Sequence, residues 1–448
     1  MRKWKRIGIF LIMVMLIGQP LFNIQAENEY GLKKIIDNPD DGSDTKFGGS
    51  VAINDEYIYV GAEDTKIGEL IQAGRVYLFD KDGEYFKTLE SEKPVQQDKF
   101  GWAVFTGHDK LLVTESEKSQ IGKVRGQSYL YSSDGSLIKV IDSPLNDTAA
   151  LFGHTIAIVP DKFIIGAPWA LTEYGAATGR LHVFDDSGNL LDTKFSPNPT
   201  AGGGYGFRIV ADEDLIAVTA MHATGTRERS LNKGIVYIYD SSWELLHTIN
   251  STTTERNNFG YSLALNDEYV FIGDKYSTVD GVERAGKVFV YSREGELVDS
   301  IEPANPVSGS YFSESMAVQD DIIVIGEPWS DEGAVEAGKA YVYRTDGTLI
   351  AELVSPEPSI KGYFGESVAI YRDDIIVGEY GADRAYIFSK GAMGEVVTET
   401  EEETTTTDDK QGSGIPGFPL PVILLGLASI TLILMFRRRT PTPFFNLA

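Results

Sequence analysis

The chain has 448 residues, enough for several ordinary domains or one large repeat assembly, and a formal net charge of −26. Such an acidic surface repels nucleic acid and anionic lipid headgroups and favours cations or basic partners. With no cysteine there can be no disulfide framework, zinc–thiolate site or thiol nucleophile, so an exported domain must rest on a large apolar core.

From the N-terminus, residues 1–26 run from a basic start through an apolar stretch to a small residue before ENE. That layout predicts a secretory signal peptide, with an uncleaved membrane anchor as the alternative. Beyond it one phrase is written seven times. FGGSVAINDEYIYVGAE, from Phe47, returns in varied form at Phe100, Phe152, Tyr205, Phe259, Phe312 and Phe364. The period is 52 to 54 residues, in the range of propellers and solenoids.

In each repeat the opening aromatic and a later Gly or Thr (Gly61, Thr114, Gly166, Thr219, Gly273, Gly326, Gly378) lie fourteen apart. That interval holds two short strands and a tight turn such as NDE at 54–56. The second strand is almost continuously apolar, as a strand buried on both faces should be. After a longer loop a third strand ends on an aromatic, for example Phe79, Tyr131 and Tyr343. A turn such as KDG or TDG then leads to a fourth segment that alternates polar and apolar, with one face in water.

Four strands per repeat predict an all-β fold: a seven-bladed β-propeller of four-stranded antiparallel blades, spanning 27–394. A β-solenoid would need much shorter rungs. The seventh repeat lacks a good fourth strand, whereas 30–46 matches the segment that precedes repeat two. Leu32–Ile35 is therefore expected to complete the last blade and close the ring, removing its most exposed sheet edge.

The phrases FG-x-S-V-A, V-G-A or I-G-A-P, and G-x-V-Y-V-Y resemble the FG-GAP repeats of integrin α-subunit propellers and their prokaryotic relatives, over roughly residues 30–394. The resemblance implies a seven-bladed propeller with extracellular binding or adhesion as its role. Many members hold calcium in a D-x-D-x-D-G loop between the first two strands. Here that interval is only a tight turn, so no calcium site is carried over and no metal or other cofactor is expected.

Function is expected on the face bearing the second-to-third loops and the connections between blades, since the other face has only tight turns. The residue after the repeated Gly or Thr is acidic in four blades: Glu115, Asp274, Glu327 and Glu379. These are read either as a ring of ligand-binding carboxylates around the channel mouth or as solvated rim charges. Trp169, Trp329, Tyr276 and Tyr380, on the same loops, are candidate ligand contacts, with packing between blades as the alternative for the two tryptophans. The five histidines (His108, His154, His182, His222, His247) share no repeat position and no metal-ligand spacing. His182 stands where other blades carry an aromatic and reads as a packed core residue; His154 could face the channel. Asn146 and Asn250 open glycosylation sequons after fourth strands, on the outer rim.

Residues 395–414 read as an acidic, Thr-rich stalk that cannot bury a core. Within 415–436 the uncharged run 420–436 is long enough to span a bilayer, and the arginines at 437–439 place the tail 437–448 in the cytoplasm. IPGFPLP, the apolar span and RRR resemble the tripartite C-terminal tails of archaeal surface proteins, some of which are cut and replaced by a lipid. The nine residues TPTPFFNLA beyond the arginines depart from that pattern, and a plain single-pass anchor is the expectation. The chain thus reads as a cell-surface propeller binding an extracellular protein, glycan or envelope component. A structural envelope element and a carboxylate-based enzyme acting on surface polysaccharide are the alternatives.

Overall fold

A computed structural model describes residues 29–392, apart from 41, 116–118, 121, 122, 125, 145–149, 223–232 and 253–256. Seven four-stranded antiparallel sheets follow one another as the blades of a propeller. Blade 1 is typical, with Phe47–Ile53 innermost, then Tyr57–Ala62, Arg75–Asp80 and Tyr85–Leu89. Among the described residues no helix is long and apolar enough to cross a membrane; the predicted signal, stalk and span lie outside them.

The turns are built by side chains that hold the backbone. The Asn54 carboxamide oxygen accepts the N–H groups of Glu56 (3.0 Å) and Tyr57 (2.8 Å), and Asn266 repeats the arrangement with Glu268 and Tyr269. Between third and fourth strands, Asp80, Asp185 and Asp240 accept pairs of turn N–H groups in the same way.

The apolar core is divided into seven clusters, one at each boundary between neighbouring blades. The aromatic that opens each repeat is fully buried and meets third-strand aromatics edge to face. Phe47 lies 5.6 Å from Tyr77, Phe100 5.0 Å from Tyr129 and Phe364 6.1 Å from Phe388. His182 fills that third-strand place in blade 3, 5.7 Å from Phe152, and its Nδ1 pairs with Thr193 Oγ1 at 3.0 Å. Burial first, then the Arg180 charge, lowers its pKa to about 4, so it is a neutral core residue.

The two glycines of the motif meet across blade boundaries. A Cβ on Gly61 would lie 2.3 Å from the carbonyl oxygen of Gly101 in blade 2; on Gly166, 2.3 Å from that of Gly206 in blade 4; on Gly378, 1.9 Å from that of Gly48 in blade 1. A hydroxyl ties the same carbonyls. Ser50 Oγ donates to Gly101 O (2.9 Å), Ser315 to Gly365 O (2.8 Å), and Ser367 to Gly48 O (2.8 Å), which joins blade 7 to blade 1.

The ring closes with Tyr30–Asp37 as the outer strand of blade 7, longer than the segment expected at Leu32–Ile35. It pairs with Arg384–Lys390 from Tyr30↔Lys390 to Asp37↔Arg384, with an irregularity between Leu32 and Lys34. Tyr30 and Ile36 are buried in the clusters on either side of that blade.

Two outcomes follow. Deleting Tyr30–Asp37 should lower the melting temperature of the whole propeller in a single transition, read by calorimetry. Gly378→Ala forces a methyl group against a backbone carbonyl and should cost roughly 1–3 kcal/mol in denaturant unfolding.

Candidate functional site: the channel mouth

The seven inner strands surround a central channel of about 720 Å³. Its mouth on the loop face is set by the third residue of each repeat, immediately after the aromatic and its following residue. In blade order these are Gly49, Trp102, His154, Phe207, Tyr261, Glu314 and Glu366. On a frame otherwise repeated seven times, this one position is occupied by six different residue types. Gly49 contributes no side chain, and Lys46 and Tyr380 stand within 4 Å of where its Cβ would be.

The residue before each opening aromatic forms an outer tier. Lys46, Lys99, Leu151, Tyr311 and Tyr363 all hold left-handed backbone conformations with φ between 49 and 57°, and Gly204, at 64°, does the same in blade 4. A non-glycine residue in that region carries strain, repaid here by backbone pairing such as Phe100 N–H to Ala73 O (3.0 Å) and Phe364 N–H to Ala337 O (2.8 Å).

Charge and aromatic surface are interleaved. Lys275 Nζ donates to both oxygens of Glu314 (2.9 and 2.7 Å) while lying 3.5 Å from the Tyr261 ring centre. Lys46 Nζ is 2.6 Å from Glu63 and 5.9 Å from the Tyr380 ring. Lys99 lies 3.9 Å from Glu63 and 5.5 Å from the Trp102 ring. Arg208 stands over Phe207 (4.8 Å) and Tyr261 (5.4 Å) and donates to His154 Nε2 at 3.1 Å. Burial, then the Arg208 charge, lowers the His154 pKa to about 3, so this histidine lines the channel as a neutral acceptor. Glu366 is pushed up to about 8, first by burial and then by the neighbouring Glu314 charge.

A second feature lies beside the mouth over blades 5 to 7. Tyr276, Tyr311, Trp329, Tyr363 and Tyr380 form an unbroken run of ring contacts at 5.5, 5.6, 5.0 and 5.0 Å, the last pair stacked. Three of the residues expected from sequence, Trp329, Tyr276 and Tyr380, are thus brought together. Trp169 is elsewhere, partly buried and 6.3 Å from His222.

The four carboxylates expected to ring the mouth do not. Glu115, Asp274, Glu327 and Glu379 are each 0% exposed, at the last position of the second strand inside their blades. The reason is a tyrosine on the third strand. Tyr129 OH donates to Glu115 (2.8 Å), Tyr341 OH to Glu327 (3.0 Å), and Tyr386 OH to Glu379. In blade 5 the equivalent residue is Phe289, and Asp274 instead accepts the backbone N–H groups of Asn258 (2.9 Å) and Tyr276 (3.1 Å). They are neither a channel ring nor solvated rim charges. Asn250 is exposed at the end of an outer strand, while Asn146 falls outside the described residues.

Of the seven third residues of the repeats, the sequence points only to His154 as able to face the channel, although the variation at that position is visible there. What the sequence could not show was that this position, rather than the end of the second strand, faces the channel.

The FG-GAP repeat family matches residues 297–343 and 348–393, from the outer strand of blade 5 to the end of blade 7. The chain fits an FG-GAP β-propeller. Among curated proteins none matches its sequence. Similar solved structures include the WD40 domain of Pan2 from Neurospora crassa, at TM-score 0.52 and 10% identity over 81% of this chain and 96% of that one. Another is Raptor from Chaetomium thermophilum, at TM-score 0.51 and 9% identity over 81% of this chain and 29% of that one. At such identities the likeness concerns the ring alone. A β-propeller with FG-GAP repeats is a general protein-interaction module.

The buried acids of the propeller set its response to pH. Glu63, Asp274, Glu327, Glu366 and Glu379 are all raised, chiefly by burial. The folded state therefore holds protons that the unfolded chain releases, and stability is lost as pH rises from the ordinary carboxylate range toward the folded values. The turn aspartates Asp134, Asp185, Asp240 and Asp346 are lowered by hydrogen bonds and act oppositely, losing stability as pH falls below about 4. The melting temperature should rise as pH falls from about 8 to 5 and drop at stronger acidity. Glu366→Gln should flatten the upper part of that rise in a calorimetric series.

Proposed function

We propose that this propeller is a cell-surface binding module, held by a C-terminal span and engaging an extracellular partner with its loop face. The observation that carries the reading is the contrast within one repeat. Fully buried aromatics, touching glycines and turn residues recur around the ring, while the residue facing the channel mouth changes from blade to blade. Repetition serves the scaffold. Variation on a rigid ring serves recognition.

The mouth offers aromatic surface, paired charges and one position, Gly49, without a side chain, a mixture suited to a protein or glycan surface. The signal-like start, the acidic stalk and the basic-flanked apolar run support export and anchoring.

A second reading has its own observation. The outer strands of blades 1 to 5 each begin with an exposed apolar pair: Tyr85 and Phe86, Leu137 and Ile138, Leu190 and Leu191, Leu245 and Leu246, Leu297 and Val298. Lateral packing of propellers in an envelope layer would cover them.

Two variants of the full chain separate these readings in a binding assay on isolated envelope fractions. Gly49→Trp closes the mouth and should abolish binding, while Leu191→Ser with Leu246→Ser should leave it intact. The opposite pattern would replace recognition at the mouth by rim packing. Surface protease treatment of intact cells should remove the propeller; full protection would overturn the surface placement.

A further inference from the structure

The loop face repeats one small device. A cation stands over an aromatic ring while paired with, or close to, a carboxylate. Lys275 does so with Tyr261 and Glu314, Lys46 with Tyr380 and Glu63, and Lys99 with Trp102 and Glu63. Along the aromatic run, Arg284 stands over Tyr276 (5.6 Å), Lys275 also lies over Tyr311 (5.7 Å), and Lys46 covers Tyr380 at the far end. Each end of the run is therefore supplied with a cation by the protein itself.

The middle is different. Among the described residues no cation stands over Trp329 or Tyr363. The carboxylate of the device is nevertheless present: Tyr363 OH donates to Glu336 Oε2 at 3.0 Å, and the Glu336 backbone N–H is held by Asp331 at 2.9 Å. The Trp329 indole is 36% exposed, and its ring is fixed between Tyr311 at 83° and Tyr363 at 58°. Lys361, tied by its backbone to Val335 (2.9 Å), is exposed and covers neither ring.

We infer that Trp329, Tyr363 and Glu336 form a subsite for a lysine or arginine side chain of a partner protein, which completes the device that the neighbouring positions complete internally. This rests on the reading of the loop face as the binding face and names the chemistry it selects. The occupant is cationic because the place is flanked by acids in a chain of net charge −26. It comes from a protein because a side chain on a partner's surface can reach a shallow indole platform that would bury little of a free amine. The fixed rings need no reordering on binding, so the subsite is prepared for its ligand.

The experiment is calorimetric titration of the full chain with short peptides carrying two arginines or two lysines, against the same peptides with citrulline or norleucine instead. The basic peptides should bind and the neutral ones should not, and binding should weaken as salt is raised. Trp329→Leu should weaken binding about tenfold, with Trp329→Phe between it and the parent chain. Glu336→Gln should weaken binding and reduce its salt dependence. Trp169→Leu, on a tryptophan outside the run, should change nothing. Unchanged melting temperatures certify the fold of each variant. Equal binding of neutral and basic peptides, or basic-peptide binding that survives both Trp329→Leu and Glu336→Gln, overturns the inference. So does the absence of any peptide binding. If envelope binding is still lost with Gly49→Trp in that case, recognition at the mouth stands without this subsite; if it is not, both fall together.

Discussion

The ring depends on a contact between two glycines. The glycine next to last in the second strand of one blade lies against the carbonyl of the glycine that follows the opening aromatic of the next, with no room for a methyl group in blades 1, 3, 6 and 7. That approach sets how near neighbouring blades stand at the channel, and therefore how seven of them close a circle. In blades 1, 6 and 7 a serine hydroxyl of the inner strand bonds the same carbonyl, so the close packing leaves that acceptor satisfied. Blade 4 reaches the same end with threonine. There Thr219 Oγ1 itself donates to Gly260 O at 2.8 Å, doing from the second strand what serine does from the first.

Around that contact each boundary between blades has its own apolar cluster, so stability is distributed over seven similar interfaces. The opening aromatics are the largest repeated contributors. Truncating one to alanine would remove a fully buried ring of a kind usually worth about 3–5 kcal/mol. The residues facing the mouth stand outside these seven clusters and pack on one another instead, as His154, Phe207 and Tyr261 do.

The fold was readable because its determinants are local and repeated: a fixed fourteen-residue interval, Asn54 and Asn266 at tight turns, an aromatic at the end of each third strand. Ring closure was readable from the fourth strand that the seventh repeat lacks, though the closing strand runs two residues further at each end because Tyr30 and Ile36 have neighbouring clusters to fill. The four carboxylates expected at the mouth lie inside their blades instead. Glu115, Glu327 and Glu379 looked like surface acids because nothing in their own segment predicts a partner; each finds one in a tyrosine fourteen or seven residues later, brought alongside by strand pairing. That pairing is tertiary, and a carboxylate followed by loop residues carries no mark of it. Trp329, Tyr276 and Tyr380 were found, but their continuity through Tyr311 and Tyr363 was not, since those two belong to a different turn of the repeat.

The closing strand has a mechanical meaning. Tyr30 pairs with Lys390, so the chain enters and leaves the ring at one place, and the last strand to be made lies between the first strand and Asp374–Glu379. A pull on the C-terminal end therefore loads a central strand, hydrogen-bonded along both edges, rather than an outer strand that could peel away one bond at a time. The first residues of the propeller serve as the clasp that lets its last strand bear tension.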